Sequence, residues 1–245
     1  RQAEIRIQDG VAQHYEGQRY RNPVARAYHL WWSEMMVRAL PAGGRWLDLG
    51  CGTGWTHEAL RHMGLDRRVI GLDISLGMLG YARRRGMPVV LGDVGALPVA
   101  SASVDVVLAK GVLHHLSDLP VALAEIHRVL RPGGFLVAAE PNRSPFRRLG
   151  ALVPGRDRHF SELHRDFSRR EILAAMRPYF QIEDLRFFGW LAYPFSFPDV
   201  ANFGRRLRLT VRGIQRLIRL DEKLCRLPEI RSLSWALLVR ARREA

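Results

Sequence analysis

The chain has little cysteine, almost no lysine and no long apolar run. Its two cysteines, Cys51 and Cys225, are far apart and neither belongs to a Cys-x-x-Cys pair, which argues against a disulfide framework and a zinc site. No apolar stretch approaches the roughly 18 residues that a membrane span needs, and the first residues lack the pattern of a secretory signal. These absences predict a cytoplasmic protein in a reducing compartment.

Positive charge is in excess and unevenly placed. The chain has 38 basic and 24 acidic residues, a formal net charge of +14, and only Lys110 and Lys223 are lysines. From residue 151 to residue 245 there are 19 basic and 11 acidic residues, so the excess is concentrated in the C-terminal part. A basic protein attracts nucleic acid, anionic membrane or anionic substrates. Composition does not choose among these three.

Short apolar runs alternate with helical patterns along the first part of the chain. The runs lie at residues 45–50, 68–74, 88–94, 104–111 and 134–141. Between them, apolar residues recur at spacings of three and four and the segments close with glycine, as helices commonly do. Strands that alternate with helices form a mostly parallel sheet covered on both faces. The pattern predicts one doubly wound α/β domain.

A glycine-rich turn, GCGTG, follows the first apolar run. Gly50, Gly52 and Gly54 stand where, in a doubly wound sheet, the backbone comes closest to a ligand, and they have no Cβ in the way. Trp55 stands where a dinucleotide fingerprint requires its third glycine, which argues against NAD, and the P-loop pattern is missing. The turn predicts a ligand site of another kind.

Two acids end the next two apolar runs. Asp73 closes the second run, where a carboxylate can accept both hydroxyl protons of a ribose, and Asp93 closes the third, where it can accept from an adenine amino group. Each residue alone could equally be an ordinary strand-end or helix-capping aspartate. Together with the glycine turn, the two acids predict an adenosine-containing cofactor.

Five segments together resemble the class I S-adenosylmethionine-dependent methyltransferases, particularly the branch of ubiquinone, menaquinone and natural-product biosynthesis. The segments are LDLGCGTG, GLDIS, GDVGALPV, DVVLAKGVLHHLSD and EIHRVLRPGGFLVAAEPN, within about residues 40–142. The resemblance implies S-adenosyl-L-methionine as cofactor and a Rossmann-like, seven-stranded sheet. Residues 180–188 and 232–243 would supply its last two strands, the final one antiparallel.

The resemblance also implies a set of cofactor-binding residues. They are Asp48, Gly50, Cys51, Gly52 and Gly54 at the methionine end, Asp73 and Ile74 at the ribose, and Asp93 and Val94 at the adenine. Lys110 follows at the position whose backbone lines the methionine end, and its long charged side chain departs from the family, so we expect it to point to solvent. Tyr20, like Tyr15, precedes the first strand, where this fold often has a lid; both could line the site or simply pack.

The catalytic residues are less well defined by the sequence. Methyl transfer from a sulfonium can proceed by positioning alone, but a hydroxyl acceptor benefits from a base. His114 and His115 follow the fourth strand, and similar natural-product O-methyltransferases combine such a histidine with an acid after strand five, here Glu140. Alternatively, one histidine packs under a helix and the other bonds locally. His159 and His164 could line the acceptor site, but no spacing indicates a metal site.

A basic amphipathic segment at 189–231 departs from the minimal fold. From residue 204 to residue 231 there are nine basic and three acidic residues, with apolar residues at helical spacing. It predicts either a lid helix over the sheet or an element that rests on anionic lipid. The expected layout is a lid at 1–40, a cofactor core at 41–142, a substrate-side region at 143–188, this insertion, and a final strand at 232–245.

We therefore expect a methyltransferase that acts on an oxygen or carbon atom of a small, apolar or lipid-like acceptor, with possible peripheral contact with an anionic membrane. RNA methylation is an alternative that the charge favours, although no RNA-binding module or N-P-P-Y/F motif is present and no specific nucleic acid is expected. A non-catalytic module that binds the cofactor is a third interpretation. The acceptor, the methylated atom and the oligomeric state stay open.

Overall fold

The predicted strands form one sheet in the computed structural model, which describes residues 2–38, 40–41, 43–65, 68–146, 165–197 and 208–244. The order across the seven-stranded sheet is β3-β2-β1-β4-β5-β7-β6. β1 to β5 pair in parallel, and β7 runs antiparallel between β5 and β6, so the predicted Rossmann-like sheet is confirmed. The strands are β1 (Arg45–Leu49), β2 (Arg68–Asp73), β3 (Val89–Leu91), β4 (Val104–Lys110), β5 (Leu130–Pro141), β6 (Gln181–Phe188) and β7 (Ala236–Arg242).

The helices begin at polar caps that the sequence supplies. Asn22, Asp118 and Thr210 accept backbone N–H groups at three helix starts, and Ser168 forms a capping box with Glu171 at a fourth. Such caps satisfy amides that a first helical turn leaves without partners. The helices are α1 (Gln2–Tyr15), α2 (Pro23–Val37), α3 (Trp55–His62), α4 (Leu76–Arg84), α5 (Leu119–Val129), α6 (Arg169–Met176), α7 (Ala192–Ser196) and α8 (Val211–Leu224), with a π-helical turn at Glu16–Tyr20 and 3-10 turns at Leu113–His115 and Arg231–Leu233.

The sheet separates two apolar cores. Helices α5 and α6 pack on one face, and α2, α3, α4 and α8 pack on the other. Along β4, Val107 and Ala109 belong to the first core, whereas Val106 and Leu108 belong to the second. Because side chains alternate along a strand, Lys110 continues the second series and faces the α2 side. This parity decides which wall of the site receives its ammonium group.

The third strand is shorter than its apolar run. The sequence predicts a strand at 88–94, but β3 covers only Val89–Leu91. Asp93 lies beyond the strand end, where its carboxylate accepts the Gly95 N–H at 2.9 Å. The side chain therefore helps to form a turn at the carboxyl edge of the sheet, beside the end of β2.

Helix α8 packs its apolar face inward. Ile214 and Ile218 are buried in the core on the α2 side of the sheet. Buried Asp221 accepts the N–H groups of Leu191 and Ala192 at 2.7 and 2.8 Å, which fixes α8 to the start of α7. The outward face is basic and exposed, with Arg212, Arg216, Arg219 and Lys223. Among the described helices, none is long and apolar enough to cross a bilayer.

We predict that Gly54 is required for the approach of α3 to α4. Gly54 and Gly64 both have positive φ, at +81° and +68°. A Cβ on Gly54 would lie 2.8 Å from the Ala82 Cα, whereas a Cβ on Gly64 would meet nothing within 4 Å. Gly64→Ala should lower the free energy of unfolding in urea by about 1 kcal/mol, the cost of the backbone conformation. Gly54→Ala should lower it by about 3 kcal/mol, because backbone atoms must also move. Equal losses would contradict the packing argument.

Candidate active site

A cavity lies at the carboxyl ends of β1, β2, β4 and β5, between the sheet and the N-terminal helices. The structure brings the predicted site residues together there, apart from Gly54 and from His159 and His164, which lie outside the described residues. The predicted residues that line the cavity are Tyr20, Asp48, Gly50, Cys51, Gly52, Asp73, Ile74, Asp93, Val94, Lys110, His114, His115 and Glu140. Their roles are distinguished below by their contacts.

The three glycines of the turn serve different purposes. Gly50 has φ of +58°, and a Cβ there would lie 2.6 Å from Val112 Cγ2. Gly52 has φ of +54° and lines the cavity, and its Cβ would meet nothing within 4 Å. Gly54 packs against α4 instead of lining the cavity. Gly50 and Gly54 therefore permit close packing, and Gly52 leaves room for a ligand.

Asp73 connects the end of β2 to the glycine turn. Its carboxylate accepts the N–H of Gly52 at 2.8 Å and the N–H of Ser75 at 2.9 Å. Burial raises the pKa of Asp73, and these backbone donors oppose the rise. Two carboxylate oxygens offer about four acceptor positions, so acceptor capacity remains on a side chain that lines the cavity. This arrangement fits a ribose with two hydroxyl donors.

Asp48 has a buried oxygen without a partner. The residue is 1% exposed, and its Oδ2 makes no hydrogen bond within the described part of the chain. Burial raises the pKa of Asp48 to about 7, while a hydrogen bond with Thr56 and the charge of Lys110 oppose the rise. An unpaired buried acceptor costs roughly 1–3 kcal/mol. A cationic donor such as the α-ammonium group of S-adenosylmethionine would remove that cost, so the residues present fit the cofactor.

Glu140 holds the turn that carries the histidines. Its buried carboxylate accepts the N–H groups of Val112, Leu113 and His114 at 3.2, 2.9 and 3.3 Å, and its Oε2 lies 2.6 Å from His114 Nδ1. Burial raises the pKa of Glu140 to about 8, and the three N–H donors oppose the rise. The backbone N–H donors occupy both oxygens, which favours the ionised carboxylate in spite of its raised pKa; Nδ1 then carries the proton and Nε2 is the basic nitrogen of His114. The His115 ring lies 4.0 Å from the His114 ring, centroid to centroid.

The prediction that Lys110 points to solvent is wrong. Its Nζ donates to Ser33 Oγ at 2.9 Å and lies 4.8 Å from the centroid of the Trp32 ring. Burial lowers the pKa of Lys110 to about 7; Asp48 opposes this shift and Arg19 adds to it. The reason for the inward orientation is the parity of β4, which directs this residue towards α2.

Sequence reasoning missed His29. This residue of α2 lines the cavity and is 2% exposed, yet neither ring nitrogen has a hydrogen-bond partner among the described residues. Its ring centroid lies 5.0 Å from those of both Tyr20 and Phe197. Burial lowers the pKa of His29, and the charges of Lys110 and Arg19 lower it further. The sequence feature that could have identified His29 is its place in the otherwise apolar and aromatic stretch AYHLWW.

The N-terminal segment covers the cavity and is fixed at two points. Asp9 accepts the N–H of Gly77 at 2.9 Å, at the start of α4. Arg85 forms a salt bridge with Glu16 and donates to the Thr53 carbonyl oxygen at 2.9 Å. Tyr20 stacks on Trp55, with centroids 4.6 Å apart, and Tyr15 also lines the cavity. Both tyrosines therefore pack and line the site at once.

The other predicted contributors are placed differently. No residue of α8 lines the cavity, and the described part of the 189–231 segment reaches it through Tyr193 of α7. His159 and His164 lie outside the described residues, as do Phe203 and the rest of 198–207. Within the described ranges, no group of three or more His, Cys, Asp or Glu could hold a metal ion.

Sequence comparison matches residues 47–138 to a family described as a methyltransferase domain. A demethylmenaquinone methyltransferase of Renibacterium salmoninarum is 43% identical over 123 residues, covering 47% of this chain and 51% of the relative. A malonyl-[acyl-carrier protein] O-methyltransferase of Serratia marcescens is 42% identical over 97 residues, covering 39% and 37%. The chain thus spans about half or less of the length of these curated relatives.

Structure comparison extends the likeness to the whole fold. A solved S-adenosylmethionine-dependent methyltransferase of Thermotoga maritima, described as a possible histamine N-methyltransferase, has a TM-score of 0.67 at 23% identity. The alignment covers 98% of this chain and 99% of that one, and at this identity it shows the fold alone. From the family match, the relatives and the fold, this chain contains a class I S-adenosylmethionine-dependent methyltransferase domain, and S-adenosylmethionine is its cofactor.

Proposed function

We propose that this chain methylates an oxygen or carbon atom of a small, apolar or lipid-like acceptor. The observation that carries the proposal is the composition of the cavity: acids and bare backbone lie at the ends of β1 and β2, and histidines and aromatic rings lie beside β4 and β5. Relatives named for demethylmenaquinone and for malonyl-[acyl-carrier protein] support an acceptor of this kind. They match this chain over only part of their length.

The acids at the strand ends would hold the cofactor. We assign the ribose hydroxyls to Asp73, the methionine ammonium to Asp48, and the adenine edge to Asp93 with the backbone of Val94. S-adenosylmethionine supplies a methyl group that is already activated by its sulfonium. The protein therefore needs to position the acceptor and exclude water, and no further activation of the donor is required.

His114 and Glu140 supply a base for an acceptor that must lose a proton. Glu140 positions the imidazole through Nδ1, which leaves Nε2 to take a hydroxyl proton. His115 is adjacent and is a second candidate base. Glu140 acts through His114 and through the turn amides, so we assign it a positioning role rather than direct contact with the acceptor.

We predict that S-adenosylmethionine and S-adenosylhomocysteine bind with dissociation constants in the micromolar range and that NAD does not bind. Asp73→Ala should weaken the binding of S-adenosylhomocysteine more than ten-fold, because the ribose hydroxyls and the Gly52 amide lose their acceptor. Asp184→Ala is the matched control, since Asp184 pairs with Arg186 on β6 and should leave affinity unchanged. Binding of NAD together with no binding of S-adenosylmethionine, measured by calorimetry, would refute the cofactor assignment.

We predict a loss of turnover on replacement of the active-site histidine. With a hydroxyl acceptor, His114→Ala should lower kcat by roughly 10²- to 10⁴-fold while the affinity for S-adenosylhomocysteine changes little. The measurement is transfer of a labelled methyl group to a panel of phenols, quinols and carboxylic acids, with exposed His62→Ala as control. Full turnover in both His114→Ala and His115→Ala would mean that catalysis depends only on positioning of the acceptor. Activity on structured RNA, with none on the panel, would refute the acceptor class.

We also propose a peripheral contact with anionic membrane through the outward face of α8. Arg212, Arg216 and Arg219 are exposed on this face. Its apolar residues Ile214 and Ile218 are buried against the protein, so the attraction would be electrostatic and would not involve insertion of the apolar face. The protein would then bind a lipid-like acceptor at the membrane surface.

This contact predicts salt-sensitive binding to vesicles. Each arginine near an anionic surface contributes about 1 kcal/mol, so changing Arg212, Arg216 and Arg219 to Gln should abolish co-sedimentation with anionic vesicles. The matched control changes the exposed Arg169, Arg170 and Arg177 of the α6 region to Gln, with the same loss of charge. Equal losses in both variants would indicate a net-charge effect only. Tight, selective binding of structured RNA without vesicle binding would favour RNA methylation instead.

A further inference from the structure

An acid and a base lie on the same wall of the cavity and do not form a direct pair. Asp48 is near the end of β1, Lys110 ends β4, and both line the cavity. Asp48 pairs in register with Leu108, so Lys110 lies two residues further along the neighbouring parallel strand and on the same face. Strand spacing and rise place the two Cα atoms about 8 Å apart. Asp48 Oδ2 has no hydrogen-bond partner in the described chain, and Lys110 Nζ donates to Ser33 Oγ instead.

The two charges nevertheless act on each other. Burial raises the pKa of Asp48 to about 7 and lowers the pKa of Lys110 to about 7, and the charge of each group opposes the shift of the other. Asp73 adds to the rise for Asp48, and Arg19 adds to the fall for Lys110. A buried charge is unfavourable unless a counter-charge contacts it directly. Each of the two groups therefore lacks such a contact.

The other groups around Lys110 do not supply this contact. The Arg19 guanidinium bonds to the Tyr15 hydroxyl and lies 3.9 Å from the centroid of the Tyr15 ring. His29 is held neutral, because burial lowers its pKa and the charges of Lys110 and Arg19 lower it further. The Lys110 ammonium group has three N–H donors, and among the described residues its hydrogen bond is to Ser33. Further donors of this cation remain for an anionic ligand group.

An α-amino acid group complements this acid and base. Its ammonium and carboxylate groups are bonded to one carbon atom, so it offers a cation to Asp48 and an anion to Lys110 at the same time. A carboxylate accepts several hydrogen bonds, and those between charged partners are stronger than those between neutral ones. S-adenosylmethionine ends in such an amino acid group.

We propose that Lys110 binds the carboxylate of the cofactor's methionine end while Asp48 binds its ammonium group, so that the pair recognises the intact amino acid. This deepens the proposed function and rests on its assignment of Asp48. It gives the Lys110 side chain a role beyond the backbone contact that the family resemblance implies at this position. Adenosyl sulfur compounds without the carboxylate should bind poorly, and the bound cofactor should stabilise the charged form of Lys110.

A ligand that lacks only the carboxylate isolates this contact. The probe is decarboxylated S-adenosylhomocysteine, titrated by calorimetry beside S-adenosylhomocysteine itself. Wild type should bind the probe at least ten-fold more weakly, because a charge-assisted contact is lost. Lys110→Met should weaken S-adenosylhomocysteine at least ten-fold and bind the probe no more weakly than wild type does, so the preference disappears. Lys223→Met removes the other, exposed lysine and should keep the preference.

NMR of the two lysines reports their charge directly. Lysine labelled at Cε gives two signals, which the two methionine variants assign. S-adenosylhomocysteine should raise the titration midpoint of Lys110 by about one pH unit, because a carboxylate stabilises the ammonium form. The decarboxylated probe should not raise it, since the probe brings only a further cation. The midpoint of Lys223 should respond to neither ligand.

Several results would overturn the proposal. They are equal affinity of wild type for the two ligands, equal weakening of both in Lys110→Met, and an unchanged Lys110 midpoint with S-adenosylhomocysteine. A preference that survives in Lys110→Met also overturns it, and its loss in Arg19→Gln would then assign the carboxylate to Arg19. All of these results leave the cofactor assignment intact. That assignment fails instead if wild type binds no S-adenosylhomocysteine.

Discussion

Buried carboxylates at the strand ends hold the loops that form the cavity. Asp73 ends β2 and accepts the amides of Gly52 and Ser75, so the glycine turn after β1 is fixed to the neighbouring strand. Glu140, near the end of β5, does the same for the turn after β4, and it also orients His114. A buried carboxylate is tolerated only when donors surround it. The same requirement that stabilises each acid therefore sets the shape of both loops.

The cofactor side could be predicted because its information is local. A strand, a glycine turn and a helix start lie within ten residues, and Asp73 follows at the end of the next strand. The alternation of strands and helices similarly determines the parallel sheet, whereas the strands at residues 180–188 and 232–243 were predicted from the resemblance to the methyltransferase family. Local spacing does not tell a ligand contact from a packing contact, however. Gly54 has the same pattern as Gly52 and packs against α4.

The α2 side of the cavity could not be predicted because it is assembled over long sequence distances. Lys110 meets Ser33 across 77 positions, and His29 reaches the cavity only because α2 packs over the ends of β1 and β4. A sequence pattern reports the periodicity of each element and leaves open which element covers which edge. The orientation of Lys110 was nevertheless readable in principle, since β4 alternates strictly and its parity directs residue 110 towards one core.

The excess of positive charge divides into two physical regimes. Arginines on the outer face of α8 are exposed to water and salt, so each contributes little and they act only as a group on a large anionic surface. Lys110 lines the cavity and is buried enough for its pKa to fall to about 7, so its charge depends on the groups that lie beside it. A buried cation therefore responds to single neighbouring groups, whereas the exposed arginines respond only to an anionic surface as a whole.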